Sequence, residues 1–138
     1  MTGDVRHAAC ACGGLSISVR GDPQRVGMCH CQQCQRRTGS AFGLAAIFAR
    51  DQLAEAHGPR SAYSRQGESG GTLTFSFCPT CGSTVFWEHS NLPEVILVAL
   101  GAFADPGFPG PTGAFWAESR HPWVETLHEL PAQPRAAG

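Results

Sequence analysis

Seven cysteines in a chain of 138 residues fall into three groups: Cys10-Ala11-Cys12, Cys29-His30-Cys31-Gln32-Gln33-Cys34 and Cys78-Pro79-Thr80-Cys81. Thiolates at such short spacings are soft ligands for a tetrahedral metal, above all zinc. Cys78-x-x-Cys81 followed by Gly82 has the form of a zinc knuckle, in which glycine permits a turn tight enough to aim amide N–H groups at the sulfurs. A knuckle supplies two ligands, so another pair must join it. Cys10 and Cys12 can complete a four-cysteine site, leaving Cys29, Cys31 and Cys34 as a separate three-thiolate group. Alternatively, two middle cysteines complete the knuckle and an odd set is left over. The first division is simpler because it splits no group. Three protein ligands with a fourth position open also define a catalytic or ligand-binding zinc, able to take water, hydroxide or an incoming thiol. A thiol–disulfide switch, or a second structural site closed by a histidine, are the competing chemistries of the middle group.

Other residues stand close to these sulfurs. His30 lies between two of the middle cysteines, so its side chain is expected to point away from the metal. It then supports a ligand or faces substrate rather than serving as the fourth ligand. His121, beside Pro122 and Trp123, can reach the site from elsewhere in the fold or sit on the surface. Arg36 and Arg37 follow Cys34 and can bind an anionic substrate, or simply complement a helix C-terminus. Phe42, Phe48, Trp87 and Trp123 are candidates for a pocket wall, although aromatics in a short-stranded domain serve more often as core.

The elements that must hold these groups are short. Seventeen glycines and ten prolines punctuate the chain into strands and turns. Residues 15–19 and Thr72–Phe77 alternate strictly, as half-buried strands do. Residues 84–87 and 94–100 are β-rich, and the second is apolar on both faces, which predicts a central strand. Residues 41–49 form another predicted strand. Gln32–Thr38 predicts one or two helical turns closed by Gly39, and residues 51–57 a second short helix. Residues 66–71 and 104–113 read as loops. The expected fold is mainly β, a single domain over residues 1–130 with a flexible tail at 131–138.

Composition narrows the function. Hydrophobic residues make up 42% and charged residues 15%, enough for a real core, and the net charge of −1 argues against non-specific nucleic-acid or membrane-surface binding. The longest apolar run, residues 95–100, is far below the roughly 20 residues that cross a bilayer. The polar first ten residues lack the apolar segment of a secretion signal. These features predict a cytoplasmic protein in which thiols stay reduced and cysteines serve metal or catalysis.

Taken together, the motifs resemble the glutathione-dependent formaldehyde-activating enzyme family, which also contains centromere protein V. The resemblance is carried by Cys10-Ala11-Cys12-Gly13 and by Cys29-His30-Cys31-Gln32-Gln33-Cys34 with Arg36, Gly39 and Ser40. It continues through Phe77-Cys78-Pro79-Thr80-Cys81-Gly82, Gly101 and Pro122-Trp123-Val124. It implies a β-tent fold of small antiparallel sheets clasped by zinc. Two zincs per chain are implied, one structural on Cys10, Cys12, Cys78 and Cys81, one more labile on Cys29, Cys31 and Cys34. It further implies a carbon–sulfur lyase-type reaction that joins glutathione, or another small thiol, to formaldehyde as S-(hydroxymethyl)glutathione, or the reverse. For that reaction His30, Ser40 and the backbone amides after Cys34 are the expected proton donors, and Arg36 and Arg37 the expected substrate-binding groups. A non-catalytic zinc-stabilised binding module and a thiol or zinc redox protein are the alternatives.

Overall fold

The computed structural model describes residues 3–136. Its strands are Val5–Ala9 (β1), Ser16–Arg20 (β2), Arg25–Cys29 (β3), Gly43–Ala49 (β4) and Leu53–His57 (β5). They continue with Ser61–Gln66 (β6), Thr72–Phe77 (β7), Thr84–His89 (β8), Val95–Ala99 (β9) and Gly113–Phe115 (β10). One α-helix, Gln32–Thr38 (α1), separates β3 from β4, and 3-10 turns complete the described residues. The strands form a three-stranded sheet, β1-β2-β5, and a seven-stranded sheet, β10-β3-β4-β9-β8-β7-β6. Every pairing is antiparallel except that of β10 with β3. The protein is therefore mainly β, with β9, the strand that is apolar on both faces, in the middle of the larger sheet.

Period-two alternation gives the larger sheet two different faces. Val26, Ala46, Phe48, Phe86, Ile96 and Val98 join Ala8, Ile17 and Val19 of the smaller sheet in one buried cluster. Each valine, isoleucine and phenylalanine among them contributes about 1.5–3 kcal/mol by leaving water. The intervening residues, among them Cys29, Ala45, Trp87, His89 and Leu97, turn to the other face and line a cavity of about 240 Å³. One face holds the fold together and the other is free to do chemistry.

The sequence expectation of a helix over residues 51–57 is corrected here. Arg50–Gln52 makes a single 3-10 turn, and Leu53–His57 is strand β5. The segment carries good helix formers, but edge pairing with β2 (Ile17 opposite Ala56, Ser18 opposite Glu55) satisfies its backbone. That pairing also brings Leu53 and Ala56 against the core, so tertiary packing overrides a weak local preference. The expected loop over 104–113 ends at Gly113, the first residue of β10. Of the expected tail, residues 131–136 are exposed and carry no helix or strand; residues 137 and 138, like 1 and 2, lie outside the described residues. No described helix is long and apolar enough to cross a membrane.

Candidate metal centres and their cavity

The seven sulfurs gather into two groups, Cys10, Cys12, Cys78 and Cys81 in one and Cys29, Cys31 and Cys34 in the other. Within each group the ligand atoms all lie within 4.8 Å of one another. Zinc–sulfur bonds of about 2.3 Å at tetrahedral angles require sulfurs about 3.8 Å apart. Cys12 Sγ stands 3.6 Å from both Cys10 Sγ and Cys78 Sγ. Both groups can hold a metal ion and are compatible with zinc.

The four-cysteine group is made from two hairpin tips, one from each sheet. The β1–β2 turn carries Cys10 and Cys12, and the Leu15 N–H donates to Cys10 Sγ at 3.2 Å. In the β7–β8 turn the N–H groups of Thr80 and Cys81 donate to Cys78 Sγ at 3.3 and 3.5 Å. Gly82 closes this turn at φ 80°, with its N–H on the Cys78 carbonyl at 2.8 Å. The Ala11 N–H also reaches Ser83 Oγ across the two tips at 3.2 Å. Cys10 and Cys78 are buried and Cys12 and Cys81 exposed. A metal here would clasp the sheets at the edge of the core.

The three-cysteine group follows from a strand running into a helix. Extended backbone puts Cys29, which ends β3, and Cys31 on one side and His30 on the other. Cys31 caps α1, its Sγ accepting the Cys34 N–H at 3.3 Å, so the first helical turn returns Cys34 over Cys31. The helix lies close on β4: a Cβ at Gly43 would stand 3.2 Å from Cys34 Cβ and 2.8 Å from Arg37 Nη2. The thiols do not ionise independently. Cys34 is drawn down to about 5, first by its hydrogen bond with Cys29 and in smaller measure by the Arg37 guanidinium. Cys29 is pushed up, first by Cys34 and then by burial. Each thiolate pair at such separations costs roughly 3–4 kcal/mol at an effective dielectric constant of 20, so full ionisation calls for a cation among them.

All three of these cysteines line the 240 Å³ cavity, whose wall is mainly apolar and includes Trp87, Phe115 and Trp116. Trp116 holds a left-handed backbone, φ 57°, uncommon for a bulky residue and a form of strain found at ligand sites. Arg37, Arg65, Glu68 and His89 are the cavity's charged or titratable groups besides the cysteines. Arg37 stacks over Trp87 at 4.4 Å and over Phe75 at 5.3 Å, and its buried Nε has no hydrogen-bond partner among the described residues. Arg65 stacks over Phe75 at 5.5 Å.

Other residues picked out in the sequence lie elsewhere. His30 is 1% exposed, and its ring meets the edge of Phe42 with centroids 6.0 Å apart. Burial holds its imidazole below the usual value. Ser40 and Phe42 line a separate cleft beside Cys81 and Gly82, which Arg37 also borders. Arg36 borders a groove with Arg37, Arg65 and Tyr63. His121 reaches α1 by its Nε2, 2.8 Å from Gln35 Oε1, while Gln35 Nε2 donates to the His30 carbonyl at 2.8 Å. Phe48 is core and Trp123 is half exposed. Arg65, His89 and Trp116 enter the cavity without any local sequence motif to announce them.

The family model of the glutathione-dependent formaldehyde-activating enzyme matches residues 5–119, a span that includes every cysteine. The chain belongs to this family. No curated protein matches it. The crystal structure of a Rhodobacter sphaeroides protein from a structural genomics programme is similar, with 22% identity and a TM-score of 0.56. The similarity covers 78% of this chain and 98% of that one, and at such identity it is a likeness of fold. Family membership associates the chain with glutathione and formaldehyde, and with a carbon–sulfur lyase-type reaction.

Proposed function

We propose that this protein is a zinc enzyme that joins a small thiol, glutathione or a relative, to formaldehyde as the S-hydroxymethyl adduct, or splits that adduct. In this reading Cys10, Cys12, Cys78 and Cys81 hold a structural zinc, and Cys29, Cys31 and Cys34 hold a second, labile one. The observation that carries the proposal is the three-sulfur group, one ligand short of a tetrahedron and open to a cavity. Bound there, zinc would lower the pKa of a substrate thiol and keep it as thiolate.

The chain's own residues do the rest. The apolar wall of Trp87, Leu97, Phe115 and Trp116 keeps water from the reacting atoms. Arg37 and Arg65 offer guanidinium groups to a carboxylate of the thiol substrate, and neither is paired with a carboxylate among the described residues. Of the four residues assigned to substrate chemistry from the sequence, only Arg37 lines this cavity. Arg36 is retained as an outer anion contact. His30 serves as packing behind the cysteines, and Ser40 belongs to the neighbouring cleft.

Cobalt substitution tests the proposal. The expected protein binds two cobalt ions per chain, and glutathione perturbs the thiolate-to-cobalt absorption of one of them. The Cys31→Ser variant binds one cobalt and shows no response. A fully loaded wild-type protein whose spectrum ignores glutathione would remove the proposed thiol site.

A further inference from the structure

We infer that Arg37 supplies the positive charge that lets the three-sulfur group accept a fourth, anionic sulfur; this inference rests on the thiol reading above. The arginine follows Cys34 by three residues on α1, so the two side chains share one face of the helix. Strand β4 comes against that face at Gly43, which pairs with Cys29. A Cβ at Gly43 would stand 2.8 Å from Arg37 Nη2 and 3.6 Å from Cys34 Sγ. Guanidinium and thiol thus flank a single point, and glycine leaves open the space they share. The three sulfurs lie within 4.8 Å of one another, so a charge beside Cys34 acts on the whole group.

The guanidinium is held without being neutralised. Its carbon lies 4.4 Å from the centre of the Trp87 ring and 5.3 Å from that of Phe75, contacts that fix a cation and leave its charge in place. Nε is buried without a hydrogen-bond partner among the described residues, and no carboxylate there pairs with Arg37. The other charged groups of the cavity stand farther along the sheet. Arg65 and His89 are level with Leu73, two residues beyond the row of Trp87, Leu97 and Ile47. Gly43 lies four residues the other way along β4, and Glu68 belongs to the β6–β7 turn. Arg36, two residues from Cys34, projects from a different side of α1. A cation with no carboxylate partner, set beside thiols, has their thiolates as its counter-charge.

Three thiolates around a divalent ion carry one net negative charge, and a substrate thiolate would make it two. With Arg37 counted, the open site is neutral and the occupied one singly negative. The substrate thiol gives its proton to water as it enters, and no bond to carbon changes. The incoming anion therefore meets a neutral site in place of a negative one. A neutral ligand gains nothing from Arg37, so the same charge favours a thiolate over it at the open position.

Cobalt-loaded wild type, Arg37→Gln and Arg37→Lys test this at about pH 8, where imidazole is neutral. Glutathione, 2-mercaptoethanol and imidazole are each titrated against the thiolate-to-cobalt absorption of the second site. Arg37→Gln should weaken both thiols about tenfold or more, the effect of removing an opposite charge at such range, and leave imidazole unchanged. Arg37→Lys, which keeps the charge, should recover most of that loss. Thiol binding unchanged in Arg37→Gln, or no better in Arg37→Lys than in Arg37→Gln, overturns the role. Weakening of glutathione alone would assign Arg37 to the substrate carboxylate, and equal weakening of imidazole would make it structural; either result also overturns it. If Arg37→Gln does not fold or take up its second cobalt, Arg37→Lys decides. Both thiols binding it as they bind wild type then sustain the role, and about a tenfold loss for either overturns it. Wild-type protein with two cobalt ions whose spectrum ignores both thiols overturns the thiol reading itself, and this inference with it.

Discussion

Cys31 has two separable duties, as a soft ligand in the three-sulfur group and as the N-cap of α1 through the Cys34 N–H. Serine is among the preferred N-caps but is a poor substitute for a thiolate toward zinc. Cys31→Ser is therefore expected to keep its thermal midpoint within a few degrees, since a satisfied cap preserves about 1 kcal/mol, and to lose one zinc per chain by elemental analysis. Loss of folding on this change would mean that the site is structural. Arg65 makes a second case. If it holds the substrate carboxylate, Arg65→Gln should raise KM for glutathione about tenfold or more, the worth of a charged hydrogen bond. The rate with 2-mercaptoethanol, which has no carboxylate, should barely change. Equal effects on both thiols would assign Arg65 to packing over Phe75.

At the scale of elements, the site depends on how closely α1 lies on β4. A Cβ at Gly43 meets Cys34 Cβ and Arg37 Nη2, so Gly43→Ala should push the helix outward. The second zinc should then bind roughly 10–100-fold more weakly, as when groups supporting a ligand are disturbed, while the four-cysteine zinc stays in place. Competition with a chromophoric chelator reads both. Much of this layer was legible in the sequence, because β2, β4, β7, β8, β9 and α1 carry their own alternation, apolar run or capping residue. Gly39 does close the helix at φ 68°. What was hidden depends on partners distant in the chain. β5 is a strand because β2 is beside it. β10 has three residues in a Pro- and Gly-rich stretch and exists through its parallel pairing with β3. The same holds in the cavity: Cys29, Cys31 and Cys34 announce themselves by spacing, whereas His89, Arg65 and Trp116 arrive only when the larger sheet closes its face. His30 shows the converse. Its neighbours in sequence are metal-type ligands, yet alternation turns it into the interior.

For the molecule as a whole, the two sheets share one apolar cluster and are joined at their hairpin tips by the four-cysteine group. That group has two buried and two exposed sulfurs, and its zinc would add folding energy in a small domain. The three-sulfur group sits on the opposite face, off the core. Chelation is expected to proceed in two stages followed by far-ultraviolet circular dichroism: a first zinc leaves with the fold intact, and removal of the second unfolds the chain. Simultaneous release would contradict the separation of structural and reactive roles. The most direct measurement of that separation is exchange of formaldehyde between its hydrate and the glutathione adduct, followed by nuclear magnetic resonance with zinc-loaded protein. Acceleration above the spontaneous rate that disappears in Cys31→Ser is the predicted result. A rate equal to background with both zincs bound would contradict it.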